Sequence, residues 1–539
     1  RVISFFWDIP GETVKKYYSK IIQEIYKIIP LWSDIITINL PDWIHFSKYN
    51  VIKKIKLYHH HYMHAASSYY ASGYEDSCII NIDGFWNEDK TYWKYISQSI
   101  WKWKWKNIYK IAHEYHNKTQ IGIGMTYSLI SKQIIWYEAG STMWLSSYWD
   151  YTRFNHVNIY ENIDGLSSFL HPDFTKGINF SDDILFFYQN SFLELFKKNC
   201  KNIFWISNDD SQWDITKSIY ADIAAKLQYD TEKAIISIAQ KGYSSFPSKN
   251  LCLAGGSALN VIANTKILEK TPFKKIFVQP AATDDWLSLW AAYIWAHYIN
   301  PNYIFPSFKN ASLGKRYSPN EIKISIKKYE NILSYSQEKN IESIVAQKIC
   351  DWKIIAIFIW RSEFWPRALG NRSIIADASS KKLAEKVNDI KKREKWRPLA
   401  PMLLVEDLKA FFPKAKENYF MTSIWYANDD ALIKIPGAIH IDKTARYQTL
   451  QKQQNKKMYN ILKEVKKIKW NSVVINTSFN SRSEPIIESP EDAIKMFLST
   501  NLDYLVIEDY IISKEKIYSE YTFCYEKNIV NLKDKLDVC

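Results

Sequence analysis

Glycine, cysteine and long apolar runs are all scarce in this sequence. Only 14 of its 539 residues are glycine, although about 7% is usual in proteins. The six cysteines are scattered and form no CxxC pair, which excludes a zinc ribbon or a disulfide scaffold and fits a reducing cytoplasm. No apolar run approaches the roughly 20 residues of a membrane span, so we expect no membrane partner. The chain opens at Arg1 without a signal-like segment, which predicts an N-terminally incomplete, cytoplasmic protein.

The composition is otherwise that of a globular protein. Apolar residues make up 47% of the chain and charged residues 24%, which excludes intrinsic disorder. The length predicts two or three domains, and we take two as the working number. The net charge of +14 would suit a nucleic acid, but the lysines are spread along the chain and form no single basic arm. We therefore expect no nucleic-acid partner.

Tryptophan is as abundant as glycine is rare. The 22 tryptophans and 14 glycines together make 36 of the 539 residues. This is about 7% of the chain, which is the usual share for glycine alone. Trp101, Trp103 and Trp105 alternate with lysines where a hairpin turn is expected, and Trp365 precedes Pro366. Because turns favour glycine over indole, we hypothesise that many of these codons are UGA, read as glycine in the source organism. The alternative is a truly tryptophan-rich protein.

Strands and helices alternate along the chain, which predicts an α/β protein. Apolar spacing predicts a long helix over 215–240, and a lysine-rich turn between two strand-like segments predicts a hairpin. A loosely patterned stretch from Tyr298 to about Glu342 suggests a domain junction, giving domains 1–340 and 341–539. Further strands are predicted at 78–83, 251–254, 276–278, 354–359, 472–476 and 504–507, and a helix at 490–500.

Two histidines and two aspartates are candidate metal ligands. His60 and His64 lie four residues apart, so a helix would place both imidazoles on one face, as a divalent metal requires. Asp83 and Asp284 each lie at the end of a predicted strand, where loops converge on sites. Histidines at this spacing, taken alone, are more often a surface or packing feature, whereas their combination with the two aspartates favours a metal.

Gly255 and Gly256 stand between a predicted strand and a predicted helix. Glycines at that position let backbone amides approach a phosphate, which the positive end of the helix dipole stabilises. Close packing of the helix on the strand is the alternative explanation.

The second half of the chain carries a basic segment broken by proline and glycine. Planar guanidinium groups on irregular backbone suit phosphate and carboxylate oxygens, whereas a solvated basic face is the alternative. Arg446 and the polar residues after a strand could orient a nucleotide or an acyl oxygen. The cationic candidates are Arg361, Arg367, Arg372, Lys391, Lys392, Arg393 and Arg397 and the polar ones Thr477, Ser478 and Asn480.

With glycine in place of the suspect tryptophans, the motifs read DGFGNE, TMGLSSYG, AGGSALN, PAATDDGLSLGAA, GRSEFGPRALGNRS, KKREKWRPLAP and NTSFN. This ordered set, from about Tyr58 to Ile512, resembles the carbamoyltransferase family of nodulation-factor and antibiotic-tailoring O-carbamoyltransferases. The resemblance implies an N-terminal domain of the actin-like ATPase class, similar to Kae-type proteins. It also implies a C-terminal domain similar to YrdC proteins.

The resemblance further implies a reaction and its cofactors. The C-terminal domain would combine ATP, with Mg(II), and carbamoyl phosphate into carbamoyl adenylate, and the N-terminal domain would transfer the carbamoyl group to a hydroxyl of a small molecule or sugar. A metal, in this family usually Fe(II), would be bound by His60, His64, Asp83 and Asp284. The nucleotide would contact Gly255, Gly256 and Asn260. Catalysis would fall to Arg367, Arg372, Lys391, Arg393, Arg446, Ser478 and Asn480.

Three alternatives remain open at the level of sequence. The tRNA-directed threonylcarbamoyl enzymes share both domain types, a catalytically inactive nucleotide-binding relative would keep the same motifs, and either a monomer or a homodimer is compatible with the composition. Hydrogenase maturation is disfavoured because its CxxC zinc fingers are missing.

The sequence departs from the family in two places. The opening strand and a His-Asp-Ser loop that helps to build the acceptor site are absent, and Ser483 stands where the turn after NTSFN usually has glycine. These departures predict a chain that binds nucleotide but transfers poorly. Tryptophan at positions 286 and 365 would add to that defect by obstructing phosphate loops.

Overall fold

A computed structural model gives the fold of the protein. The structure describes residues 35–39, 45–47, 50–51, 54–58, 60–89, 94–104, 107–114, 120–135, 139–155, 157–172, 215–217, 219–284, 287–482 and 484–514. The chain forms two compact units, Arg1–Phe308 and Lys309–Cys539. Trp105, Trp286 and Ser483, which the sequence singled out, lie outside the described residues.

The first unit is built around a mixed five-stranded sheet in the order β7-β6-β5-β8-β9. The strands β5, β6 and β7 are antiparallel, whereas β5, β8 and β9 are parallel. The strands of this unit are β1 (Ile35–Asn39), β2 (His45–Ser47), β3 (Asn50–Val51), β4 (Lys54–Tyr58), β5 (Ser77–Asp89), β6 (Lys94–Lys104), β7 (Asn107–His113), β8 (Asn250–Ala254) and β9 (Lys275–Val278). Its helices are α1 (His60–Ser72), α2 (Ile123–Ile135), α3 (Ala139–Leu145), α4 (Ile219–Ser245), α5 (Val261–Lys270) and α6 (Leu287–Ile299).

The second unit is a three-layer α/β structure around an eight-stranded sheet in the order β10-β19-β18-β11-β12-β17-β13-β16. Its strands are β10 (Ser334–Gln337), β11 (Ile355–Phe358), β12 (Arg372–Asp377), β13 (Ala400–Leu404), β14 (Trp425–Tyr426), β15 (Thr444–Ala445), β16 (Gln448–Leu450), β17 (Val474–Ser478), β18 (Tyr504–Ile507) and β19 (Tyr510–Ser513). Its helices are α7 (Pro319–Lys327), α8 (Ile341–Cys350), α9 (Lys381–Ile390), α10 (Leu408–Phe411), α11 (Asp429–Lys434), α12 (Lys456–Lys469) and α13 (Pro490–Leu498).

Alternation along the central strands divides the second unit's core into two layers. On β11, Ala356 and Phe358 face a cluster that includes α7, α9 and α13, whereas Ile355 and Ile357 face α8 and α12. Successive side chains of a strand point to opposite faces, so a strand covered by helices on both sides reads as a continuous apolar run. That explains why the sequence predicted it well.

The α/β class and most predicted elements are confirmed. The hairpin forms β6 and β7, and the long helix is α4. The predicted boundary after residue 340 falls inside the second unit, because β10 precedes it and pairs with β19 of the large sheet. Among the described residues, no helix is both long and apolar enough to cross a membrane.

Five of the tryptophans that the structure describes bear on the glycine hypothesis, in two different ways. Trp101 and Trp103 were predicted to lie in a turn, but both lie in strand β6. Trp101 is fully buried, and Trp103 stacks on Tyr69 with 4.3 Å between ring centroids. In contrast, Trp352, Trp360 and Trp470 have positive φ angles of 65°, 54° and 65°. The described part of the chain has seven non-glycine residues with positive φ, and three of them are these tryptophans. This backbone conformation favours glycine.

Candidate functional site

Helix α1 presents two histidines at one end of the first unit's sheet. All 13 residues of α1 are buried. His60 and His64 lie one turn apart, and their Nε2 atoms are 3.1 Å from each other. The intervening His61 is held by the Ser99 hydroxyl at 2.7 Å from its Nδ1, and its carbonyl accepts a hydrogen bond from Asn81. These contacts anchor the helix to strands β5 and β6.

Two carboxylates meet the histidines from different elements. Asp83 lies within β5, and its Oδ2 is 2.9 Å from Nε2 of His60 and 3.1 Å from Nε2 of His64. Asp284 lies between β9 and α6, and its Oδ1 is 3.3 Å and 3.2 Å from the same two nitrogens. One donor atom from each of the four residues therefore lies within 4.8 Å of the others.

This arrangement fits one divalent metal ion. Ligand nitrogens and oxygens lie about 2.0–2.2 Å from such an ion, so neighbouring donors around it are about 3 Å apart, as they are in this cluster. Two imidazoles and two carboxylates suit iron, zinc or manganese. The Asp284 side chain is 54% exposed, whereas the histidines are buried, so solvent and a substrate can reach the cluster from the aspartate's side.

The carboxylates of the cluster stabilise the positive charge of His60, and the histidines stabilise the negative charge of Asp83. Burial opposes the charge on His60, but hydrogen bonds to Asp284 and Asp83 and the charges of both carboxylates raise its pKa to about 9. Burial likewise opposes ionisation of Asp83, yet its hydrogen bonds to His60 and His64 hold its pKa well below the usual value. A cation therefore belongs among these carboxylates, whether it is an imidazolium or a metal ion.

The glycine turn contacts the same cluster. Gly255 has a φ of 86°, and a Cβ there would lie 2.4 Å from the carbonyl oxygen of Ile82, so only glycine fits. The Gly256 amide donates a hydrogen bond to Oδ1 of Asp83 at 3.2 Å. Asn260 caps α5 by accepting from the Ala263 amide. The turn thus positions one of the candidate ligands.

In the second unit, Lys391 holds the end of β17. Its Nζ donates to the carbonyl and hydroxyl of Ser478 at 2.5 Å and 3.2 Å, and to the carbonyl and Oδ1 of Asn480 at 2.8 Å and 2.7 Å. Burial, with the charges of Arg393 and Arg397, lowers the pKa of Lys391 well below its usual value. Three of the residues singled out in the sequence are therefore in direct contact.

Four arginines form a cationic group beside this lysine. Burial and the charges of Arg367, Arg393 and Arg397 lower the pKa of the half-buried Arg446. Arg393 is oriented by its Nε, which donates to Oδ1 of Asn388 at 2.7 Å. Guanidinium groups repel one another, so their convergence is typical of a site that binds a polyanion.

Arg372 does not join this group. Its side chain is fully buried, lies 3.5 Å from the centre of the Phe358 ring, and donates to the carbonyl of Ile359 at 2.8 Å. Burial lowers its pKa, and the charge of Glu363 is the largest influence that raises it. Arg372 is thus tied into the protein core.

Sequence reasoning missed two polar features beside the arginines. Oε1 of Glu363 accepts from the amides of Leu369 and Asn371 at 2.8 Å and 2.7 Å, which fixes the loop that follows Arg367. Gln448 and Asn476 hydrogen-bond each other at 2.8 Å. The only sequence signal for either was a polar residue within an otherwise apolar or motif-rich segment.

Comparison with known proteins covers both units. Residues 11–293 match the sequence model of the carbamoyltransferase N-terminus, and residues 346–514 match that of the carbamoyltransferase C-terminus. The chain belongs to the carbamoyltransferase family. The resemblance read from its motifs is therefore confirmed.

Several other proteins are similar to this chain over part or most of its length. An uncharacterized protein of Synechocystis is 27% identical over 84% of this chain and 75% of its own length. An uncharacterized protein of Methanocaldococcus jannaschii is 29% identical over 86% and 74%. Nodulation protein NolNO of Sinorhizobium fredii is 33% identical over 55% of this chain and 44% of its own. A solved structure of full-length HypF in the phosphate- and nucleotide-bound form matches at 20% identity over 31% of this chain and 21% of its own, with a TM-score of 0.23, which does not establish a common fold.

Proposed function

We propose that this carbamoyltransferase forms carbamoyl adenylate in its second unit and transfers the carbamoyl group to a hydroxyl in its first unit. Carbamoyl phosphate and water give carbamate and orthophosphate. A carbamate oxygen then attacks the α-phosphorus of Mg-ATP, and pyrophosphate leaves. In the transfer, the acceptor oxygen bonds to the carbamoyl carbon, the bond from that carbon to AMP breaks, and the hydroxyl proton is lost.

The observation that carries this proposal is the arginine group around Arg446. Carbamoyl phosphate and ATP are both polyanions, and charge moves onto the pyrophosphate as it leaves. Preorganised cations lower the energy of such a transition state. Arg367, Arg393 and Arg397 supply these cations, while Lys391 holds Ser478 and Asn480 in place beside them.

The four candidate ligands of the first unit support the transfer step. Iron(II) held by His60, His64, Asp83 and Asp284 would polarise the carbamoyl carbonyl as a Lewis acid. The Gly255-Gly256 turn would let the nucleotide phosphates approach the backbone closely, because glycine has no side chain, while the Gly256 amide stays bonded to Asp83. We propose an actin-like, Kae-related class for this unit, a YrdC-like class for the second, and action in the cytoplasm.

Pyrophosphate release from ATP tests the first reaction. The full chain should release pyrophosphate only when carbamoyl phosphate is present, and Arg393→Ala should reduce this by about 100-fold or more, as expected for loss of a transition-state contact. Lys328→Ala is the matched control, because that lysine pairs with Glu491 at an exposed position. Release that does not depend on carbamoyl phosphate would refute the proposal.

A second variant separates the two units. His64→Ala should lose the bound metal and carbamoyl transfer but retain carbamoyl-phosphate-dependent pyrophosphate release. His440→Ala controls for the loss of a buried histidine, since His440 lies in the second unit with Asp442 3.4 Å away. Loss of pyrophosphate release in His64→Ala alone would contradict this division of labour.

A further inference from the structure

Gln448 and Asn476 form a locked pair of amide side chains on the second unit's sheet. Nε2 of Gln448 donates to the carbonyl of Leu369 at 2.9 Å. Nδ2 of Asn476 donates to Oε1 of Gln448 at 2.8 Å and to the carbonyl of Ala368 at 3.0 Å. Both side chains belong to residues that are only 2% exposed.

These bonds fix the orientation of the Asn476 amide. Both hydrogens of Nδ2 are used, and a flipped amide would place an oxygen against two acceptors. Oδ1 of Asn476 must therefore point away from the pair. Among the described residues, this oxygen is buried and has no hydrogen-bond partner. A buried acceptor without a donor is costly and rare. The unpaired oxygen of Asn476 therefore indicates a ligand that supplies a hydrogen-bond donor.

The surroundings of Asn476 identify the kind of ligand. Asn476 and Ser478 are two apart on β17, so they share a face of the sheet, and Ser478 contacts Lys391. Ala368 directly follows Arg367, and Gln448 follows Arg446 by two residues. Asn476 is therefore bonded to the residue that adjoins Arg367 and shares a sheet face with the residue that contacts Lys391.

We propose that Oδ1 of Asn476 accepts a hydrogen bond from the amino group of the carbamoyl donor and so selects carbamoyl phosphate over other acyl phosphates. The inference rests on the proposed function. Guanidinium groups bind the phosphate of carbamoyl phosphate and of acetyl phosphate alike, because the two differ only in an amino group and a methyl group. A methyl group would leave the buried oxygen unpaired, and a site that makes such a bond rejects an analogue that lacks it.

The test compares the two acyl phosphates as substrates of the full chain. Pyrophosphate release from ATP is measured with carbamoyl phosphate and with acetyl phosphate, and the ratio of the two kcat/KM values is the preference. Asn476→Ala should reduce the preference by about tenfold or more, through a lower kcat/KM for carbamoyl phosphate.

Asn418→Ala is the matched control. Asn418 is also buried in the second unit, but its Oδ1 already accepts from the Thr422 amide at 3.1 Å, so its loss should leave the preference unchanged. An unchanged preference in Asn476→Ala, or one lost equally in Asn418→Ala, overturns the inference while the proposed function stands. If the unsubstituted chain releases no pyrophosphate with carbamoyl phosphate, the proposed function itself fails.

Discussion

Replacing the left-handed tryptophans by glycine should stabilise the second unit. A residue with a Cβ in this conformation costs about 1–2 kcal/mol relative to a right-handed one, whereas glycine loses about 0.5–1 kcal/mol in entropy. Trp470 ends α12 with a φ of 65°, and its amide donates to the carbonyl of Lys466 at 2.8 Å, a position where glycine is favoured. Because Trp470 is 90% exposed, its indole contributes little packing.

The expected gain therefore differs among the three positions. Trp470→Gly should raise the free energy of unfolding by about 1 kcal/mol, and Trp352→Gly by slightly less, because Trp352 is 55% exposed. Trp360→Gly should be close to neutral, since its indole stacks with Arg316 at 4.3 Å, a contact that contributes about 0.5–1 kcal/mol. For a unit of this size, 1 kcal/mol corresponds to a rise in Tm of about 2–4 °C.

Urea unfolding followed by circular dichroism measures this effect in the full chain. Trp470→Ala also loses the indole but keeps a Cβ, so the strain of the positive φ remains and the protein should not become more stable. Comparing Trp470→Gly with Trp470→Ala therefore separates the removal of this strain from the loss of the indole. Ile468→Gly places a glycine inside the same helix and should destabilise it by about 1 kcal/mol. If Trp470→Gly proves no more stable than Trp470→Ala, the reasoning is wrong. Glycine at position 360 or 470 in mass spectra of the natively produced protein would support reassigned UGA codons.

Three further predictions concern the first unit. His64→Ala should remove the bound metal from the purified protein while His440→Ala retains it, as metal analysis would show; equal metal contents would contradict the ligand assignment. Gly255→Ala should destabilise the unit by at least about 2 kcal/mol in urea unfolding, because its Cβ would lie 2.4 Å from the Ile82 carbonyl oxygen; wild-type stability would refute the close approach. Burial raises the pKa of Glu232 from 4.5 to about 7. Between these two pH values the carboxyl is protonated in the folded protein and ionised in the unfolded chain. The stability that this group contributes therefore falls as the pH rises from about 4.5 to 7. Glu232→Gln should remove that loss and gain up to about 3 kcal/mol relative to the unsubstituted chain between pH 4.5 and 8, whereas parallel stability curves for the two proteins would disprove it.

Local patterns in the sequence determined the elements and half of each site. The spacing of His60 and His64 on a helix, the strand before Gly255, and the apolar runs of β11 and β18 each depend on residues close together in the chain. The family followed from long motifs, and the domain matches confirm it. Such features can be predicted without knowledge of the fold because their physical cause is local.

Only the tertiary structure decided which distant groups meet. Asp83 and Asp284 reach the same two histidines because β5 and β9 belong to one sheet, and Arg446 joins Arg367 across a separation that no spacing rule predicts. Arg372, in the same basic segment as Arg367, instead packs into the core. Long-range pairing depends on strand order and register, and the chain's local periodicity specifies neither.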